Sequence, residues 1–224
     1  MLKRALLVLA ATTVVAACGA SSAQATLTDF GSGAWFTDGG NHITGTEPIY
    51  GGGTVTTTWN NGLNTTCGWE VTGSVENGVA MGEGSFTGVA FTNCTTNAPG
   101  CTANWSPNGL AWPLTLSSDG TESFLSFGGF SYTNTYTGVA CVLGNGTQVT
   151  FSADHLDLTI PEGEESGAEC PVVAGHPTGG GGNTGFTVNF AGSGTANGPG
   201  GLTSTFSGSM VLCGDDVADL GVTD

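Results

Sequence analysis

Hydrophobic and polar residues alternate along most of this chain. Val55, Thr57 and Trp59 share one face of their segment, whereas the intervening threonines share the other. Because successive side chains of a β-strand point to opposite faces, this period of two predicts strands with one face in a core and one in water. The same pattern recurs in Trp69–Glu76, Phe130–Tyr136, Phe186–Phe190 and Leu202–Leu212.

Dipeptides that favour tight turns separate these segments. Asn77-Gly78 and Asn145-Gly146 each lie between alternating segments, and both residue types tolerate the positive φ that a tight hairpin needs. No helical period persists for three turns. The pattern predicts an all-β fold, an antiparallel sandwich or a flattened barrel of roughly ten strands stapled by disulfides. We expect a single domain over 26–214 and an acidic C-terminal tail over 215–224.

The segment 1–25 has the features of an export signal. Lys3 and Arg4 precede an uncharged apolar stretch, and Ala23-Gln24-Ala25 is a small-x-small cleavage pattern. A competing lipoprotein pattern ends at Cys18, whose thiol would be lipidated. The sequence therefore predicts a signal peptide and a secreted or cell-envelope protein, with a lipid anchor at Cys18 as the alternative. No later stretch has the about 20 apolar residues of a transmembrane segment.

The charge of the chain narrows its possible partners. It has 18 Asp and Glu residues against 2 Lys and Arg residues, and both basic residues lie in the predicted signal. Nucleic-acid binding depends on Lys and Arg that neutralise phosphates, so nucleic acid is excluded as a partner. Arginine clamps and lysine Schiff bases are excluded for the same reason. The remaining candidate side-chain cations are His42, His155 and His176.

Most of the cysteines lie beyond the predicted signal. An even number of them in an exported chain predicts three disulfides, and no pair has the short spacing of a zinc site. Spacing alone leaves the connectivity open. We favour Cys67 with Cys94 for one bridge, because sequential strands often pair. The six cysteines are Cys67, Cys94, Cys101, Cys141, Cys170 and Cys213.

Several motifs occur together between Thr66 and Cys141. They are Phe91-Thr92-Asn93-Cys94, Cys101-Thr102-Ala103 and Gly109-Leu110-Ala111-Trp112-Pro113-Leu114, followed by Cys141 itself. In this combination the chain resembles exported all-β proteins of unknown function from actinobacteria. The resemblance implies a small exported β domain and supplies no catalytic residue.

Three groups of residues could carry chemistry. His155 and Asp157 lie on the strand face opposite its apolar residues, which favours a solvated surface over an acid–base pair. The acidic run 162–169 lacks the spacing of a calcium loop, so a solvated charge run is preferred and no metal is expected. Trp105 and Trp112 lie in a segment that we interpret as a loop, where they could contact a sugar or another ligand.

These observations favour a protein without catalytic activity. Neither the G-x-S-x-G nor the H-E-x-x-H motif occurs in the sequence. The first hypothesis is an exported, non-enzymatic structural or surface-interaction protein that needs no cofactor and contacts a glycan or another cell-envelope component. The alternatives are a carbohydrate-binding or glycan-binding module that uses Trp105 and Trp112, and a hydrolase with an unrecognised site.

Overall fold

The fold is built from β-strands. A computed structural model describes residues 34–120, 122–153, 155–162, 165–176, 183–197, 202–215 and 219–223. Strands account for 67% of the chain, and the described residues contain no helix. The all-β prediction is therefore confirmed. The predicted signal peptide and Cys18 lie outside the described residues.

Fifteen strands run through the described part of the chain. The first eight are β1 (Trp35–Asp38), β2 (Asn41–His42), β3 (Glu47–Trp59), β4 (Asn64–Asn77), β5 (Gly82–Thr96), β6 (Thr102–Pro107), β7 (Trp112–Ser118) and β8 (Ser123–Gly128). The others are β9 (Ser131–Thr137), β10 (Thr147–Ser152), β11 (His155–Ile160), β12 (Ala168–Glu169), β13 (Thr184–Asn197), β14 (Thr203–Gly214) and β15 (Leu220–Thr223).

Eight of these strands close into an antiparallel barrel. Their order around the cylinder is β11-β8-β7-β5-β4-β3-β14-β13, and pairing of β11 with β13 completes the ring. In that closing pair Leu158 lies opposite Phe190. Of the two architectures left open by the sequence, the structure therefore shows the barrel.

The five longest strands, β3, β4, β5, β13 and β14, extend beyond this ring. There a patch of three shorter strands continues the sheet from β13 in the order β10-β9-β6. β6 returns beside β5, where the rings of Phe91 and Trp105 lie 5.2 Å apart. The cylinder thus has two ends. We call them the β7–β8 end, which β7, β8 and β11 complete, and the β9–β10 end, which β6, β9 and β10 complete.

Glycine allows neighbouring long strands to approach each other closely at several positions. A Cβ atom on Gly53 would lie 2.0 Å from the Ser209 carbonyl oxygen, and one on Gly73 would lie 2.0 Å from the Ser85 carbonyl oxygen. Any side chain at these positions would force the paired backbones apart. Part of the glycine content thus has a structural reason in the close approach of paired strands.

A separate three-stranded sheet, β15-β1-β2, lies at the β7–β8 end. The Asn77 side chain attaches it to the barrel: the Phe36 N–H donates to Asn77 Oδ1 at 2.8 Å, and Asn77 Nδ2 donates to the Phe36 carbonyl at 2.8 Å. The tail predicted over 215–224 is wrong for its last part. Leu220 and Val222 are buried in β15 because their spacing of two places both on one strand face.

Aromatic side chains fill the barrel. Trp59 and Trp69 are each 1% exposed, as the alternation predicted. The Trp69 ring contacts five phenylalanine rings at centroid distances between 5.0 and 6.4 Å. These five are Phe91, Phe127, Phe130, Phe190 and Phe206. An eight-stranded barrel is just wide enough for side chains to fill it, and here large rings do so.

Three disulfides staple the strands and loops. Cys67 pairs with Cys94 as expected, which joins neighbouring strands β4 and β5. The other two bridges connect segments that are about 40 residues apart in sequence and could not have been assigned from spacing. They are Cys101–Cys141 and Cys170–Cys213.

Candidate functional site

Trp105 and Trp112 are core residues, which corrects their assignment as ligand contacts in a loop. Trp105 lies on β6, is 3% exposed and stacks on Tyr132 with the ring centroids 4.4 Å apart. Trp112 begins β7, is fully buried and stacks on Phe127. Its indole N–H donates to the Asn108 carbonyl at 3.1 Å. Neither ring reaches the surface, because each lies on the inward face of a short strand.

A short segment crosses the outer face of β3 and packs on it. We call residues 170–176 the strap. Its first residue, Cys170, is bonded to Cys213 of β14. Val173 and this disulfide pack on Tyr50, which is fully buried although its neighbours Ile49 and Gly51 point into the barrel. The strap therefore covers an outward-facing aromatic side chain and encloses it in a small second core.

His176 ends the strap in a histidine–carboxylate pair. Its Nδ1 lies 2.8 Å from Oδ1 and 2.9 Å from Oδ2 of Asp215, and its ring stacks on Tyr50 at 4.8 Å. The His176 and Asp215 side chains are 19% and 24% exposed, respectively. A carboxylate facing Nδ1 holds the proton on that nitrogen, so in the neutral ring Nε2 carries the lone pair and can accept a proton.

Electrostatics in this pair also act on Tyr50. Burial, followed by the negative charge of Asp215, raises the pKa of the Tyr50 hydroxyl above its ordinary value. Asp215 is itself fixed by its backbone N–H, which donates to the Pro48 carbonyl at 2.9 Å. The geometry orients an imidazole in the manner of the Asp–His part of a hydrolytic triad.

A groove of about 290 Å³ lies beside the strap. Glycines on β3 and β4 form its floor, with Pro171 and Val172 on one side and Glu70 and Thr92 on the other. Val172 is 75% exposed. The strap can approach β3 because Gly52 has no side chain; a Cβ there would lie 3.2 Å from Pro171. The groove offers aliphatic contacts and one carboxylate to a ligand.

A second groove, of about 560 Å³, lies at the β7–β8 end. Glu76 and Glu83 line it and stand directly opposite each other across β4 and β5. The Thr46 hydroxyl donates to Glu76 Oε2 at 3.0 Å. Lys3 and Arg4, the only lysine and arginine of the chain, belong to the predicted signal, so no lysine or arginine after residue 25 neutralises these carboxylates. The groove would attract cationic groups.

The other residues singled out in the sequence are not assembled into a site by the described structure. His155 and Asp157 lie on β11 with their backbones opposite Gly128 and Ser126, and their side chains are outside what the structure describes. Two residues of the acidic run 162–169, at 163 and 164, are outside it as well. Among the described residues, no group of three or more His, Cys, Asp and Glu side chains could hold a metal ion.

Sequence reasoning missed the His176–Asp215 pair. The two residues are far apart in sequence and belong to no motif. The signal that could have found them is the disulfide Cys170–Cys213, because His176 and Asp215 each follow one of its cysteines by a few residues. Without that connectivity the two residues have no reason to be associated.

No family model, curated protein or solved structure matches the chain. In the part of the chain that the structure describes, there is no helix with the length and apolar character needed to cross a membrane.

Proposed function

We propose that this chain is an exported, non-enzymatic protein that acts by binding through its outer surface. The observation that carries the proposal is the filled interior. Barrels of this size either pack side chains inside or hold one small ligand, and in this barrel the space is occupied by Trp69 and the phenylalanines around it. Recognition is therefore assigned to the outside of the cylinder.

The disulfides support export. Three bridges in one domain are typical of an oxidising environment such as the extracellular space. Together with the predicted signal peptide, they favour a secreted or cell-envelope location. Lipid anchoring through Cys18 is the alternative, and mass measurement of the exported protein distinguishes an acylated N-terminal cysteine from cleavage after Ala25.

The second candidate function is glycan binding, and a neutral polar face on the barrel favours it. On the outer face of the β9–β10 end, Asn104, Thr135 and Gln148 lie side by side in register on three strands. Adjacent hydroxyls bond across the strands, for example Thr102 with Thr137 at 2.6 Å. Such a surface presents donors and acceptors without charge, as an uncharged polysaccharide requires. It replaces the tryptophan platform that the sequence suggested.

Retention on a panel of uncharged, insoluble polysaccharides tests this function. We expect the disulfide-bonded protein to co-sediment with at least one polymer without releasing soluble sugar. Thr135→Glu should weaken retention, whereas Thr205→Glu, on the exposed outer face of β14, should not. Release of sugar that His176→Ala abolishes would contradict the non-enzymatic proposal and assign a hydrolase to the His176–Asp215 pair. Failure of every polymer to retain the protein would contradict the glycan candidate.

A further inference from the structure

The charged residues of this protein are segregated along the barrel. Four long runs of sequence contain no Asp, Glu, Lys, Arg or His, namely 48–69, 84–118, 123–153 and 186–214. The strand registers bring these runs together at the β9–β10 end, where Thr58 pairs with Asn64 and Thr65 pairs with Thr96. All described residues around that end are therefore uncharged.

Most of the described acidic residues gather at the opposite end, and Glu70, which pairs with Gly52 and Ala90, lies midway along β4. Glu76 and Glu83 lie beside the β4–β5 turn, and Asp119 and Glu122 lie in the β7–β8 turn. The pairing of Glu83 with Thr115 shows that both turns lie at the same end of the barrel. Other acidic residues occur near β1, β12 and β15, which also belong to that end.

The uncharged end carries a rigid apolar loop. We call residues 138–144, between β9 and β10, the tip. Val139 is fully exposed and Val142 is 69% exposed, whereas Cys141 between them is buried and bonded to Cys101. The Gly144 N–H donates to the Cys141 carbonyl at 2.8 Å. The Thr147 hydroxyl donates to the Leu143 carbonyl at 2.6 Å. A loop that is already ordered loses little conformational entropy when it binds a partner.

The acidic end of the barrel lies far from the tip. β4 has 14 residues, which is about 45 Å along the strand and about 35 Å along the axis of a barrel with a strand tilt of about 40°. Charges that are separated by several Debye lengths, each about 8 Å at physiological ionic strength, are screened from one another. The first and last described strands, β1 and β15, pair with each other at the acidic end.

We propose that the tip is a self-association surface, and that two copies of this chain meet tip to tip. The inference deepens the proposed surface-interaction function by naming the partner, and it rests on that function. Two molecules that each carry a net charge of about −16 repel each other wherever their acidic ends meet. At the tips, two uncharged ends can bury exposed valines while the acidic ends point away from the contact.

Analytical ultracentrifugation of the disulfide-bonded protein, from micromolar to millimolar concentration, tests this proposal. Val142→Asp should weaken the dimer at least about tenfold, because it buries like charges against each other. Val142→Lys, measured by itself, should also weaken the dimer. An equimolar mixture of the Asp and Lys variants should restore association, because opposite charges then meet. Val79→Asp is the matched control, since Val79 is fully exposed in the β4–β5 turn at the acidic end, and it should leave the dimer unchanged.

The outcomes separate this inference from the proposed function. A wild-type protein that is monomeric at every concentration, or a dimer insensitive to Val142→Asp, would overturn the tip-to-tip contact. So would co-sedimentation of monomers with phosphatidylcholine vesicles that Val142→Asp abolishes, since the occupant would then be lipid. None of these assays contains a polysaccharide, so their failure leaves the polysaccharide experiment to decide the proposed function.

Discussion

The Tyr136 hydroxyl organises a buried hydrogen-bond network in the β9–β10 end. It lies 2.5 Å from Trp59 Nε1, 2.7 Å from Asn134 Nδ2 and 3.1 Å from Thr65 Oγ1. The indole and amide nitrogens can only donate, so the tyrosine oxygen accepts both bonds and gives its own proton to Thr65. One hydroxyl thus satisfies two buried donors and one buried acceptor.

Tyr136→Phe should therefore destabilise the protein far more than the loss of one oxygen suggests. Trp59 is 1% exposed and Asn134 is fully buried, so neither nitrogen can turn to solvent. Leaving a buried donor unsatisfied costs about 1–3 kcal/mol, and two such donors give about 2–6 kcal/mol. The space left by one hydroxyl is too small to admit a water molecule. This loss is a large part of a typical net stability of about 5–15 kcal/mol.

Tyr132→Phe provides a matched control in the same core. Tyr132 is also fully buried, and its hydroxyl bonds Thr57 Oγ1 at 2.7 Å. Removing this bond leaves one buried group, the Thr57 hydroxyl, unsatisfied and should cost about 1–3 kcal/mol, about half the cost expected for Tyr136→Phe. Urea unfolding of both variants and the wild type, with unchanged m-values, measures the difference. A Tyr136→Phe variant that loses no more stability than Tyr132→Phe would refute the idea that one hydroxyl serves the whole network.

Two further predictions concern charge and titration. Glu83→Gln should stabilise the fold by about 0.2–1 kcal/mol, because Glu76 stands directly opposite; the gain should shrink in high salt. Glu70→Gln, which faces Ala90, should change little, and equal gains in urea unfolding would argue against pairwise repulsion. Burial raises the pKa of all three tyrosines. The native state therefore retains protons that the unfolded chain loses, so stability should fall above about pH 10, and native tyrosinate absorbance should be nearly absent at that pH. A native titration curve that matches the denatured one would show that the tyrosines are accessible.

Period-two alternation predicted the strands well because burial on one face is a local property of each segment. Val55, Thr57 and Trp59 are buried and their neighbours are more exposed, as the pattern requires. Closure into a barrel could not be predicted, since it depends on a few pairs such as Leu158 with Phe190 that join distant segments. Trp105 and Trp112 were misassigned because Pro, Gly and Asn residues between them gave a loop signal, although the loop is only the link between β6 and β7.

The candidate site was harder to predict because it depends on covalent connectivity. His176 meets Asp215 only after Cys170 has paired with Cys213, and six cysteines admit many pairings. The acidic end was equally hidden, because strand pairing rather than sequence proximity places Glu83 and Glu122 at the same end of the barrel. Charge composition alone describes solubility, whereas the segregation of charge along the barrel requires the registers.

The way in which this fold is stabilised favours an oxidising compartment. After residue 25 the chain has no lysine or arginine, so its acidic side chains cannot form salt bridges with those residues. Neutral hydrogen bonds and disulfides therefore contribute a larger share of the stability of the folded state. The disulfides span 27, 40 and 43 residues. On the chain-entropy account, loops of this length contribute about 3.5–4 kcal/mol each. The contribution of each bridge approaches the whole net stability of a marginal domain. The fold therefore depends on an oxidising environment that preserves the bridges, and so does any binding surface that the fold presents.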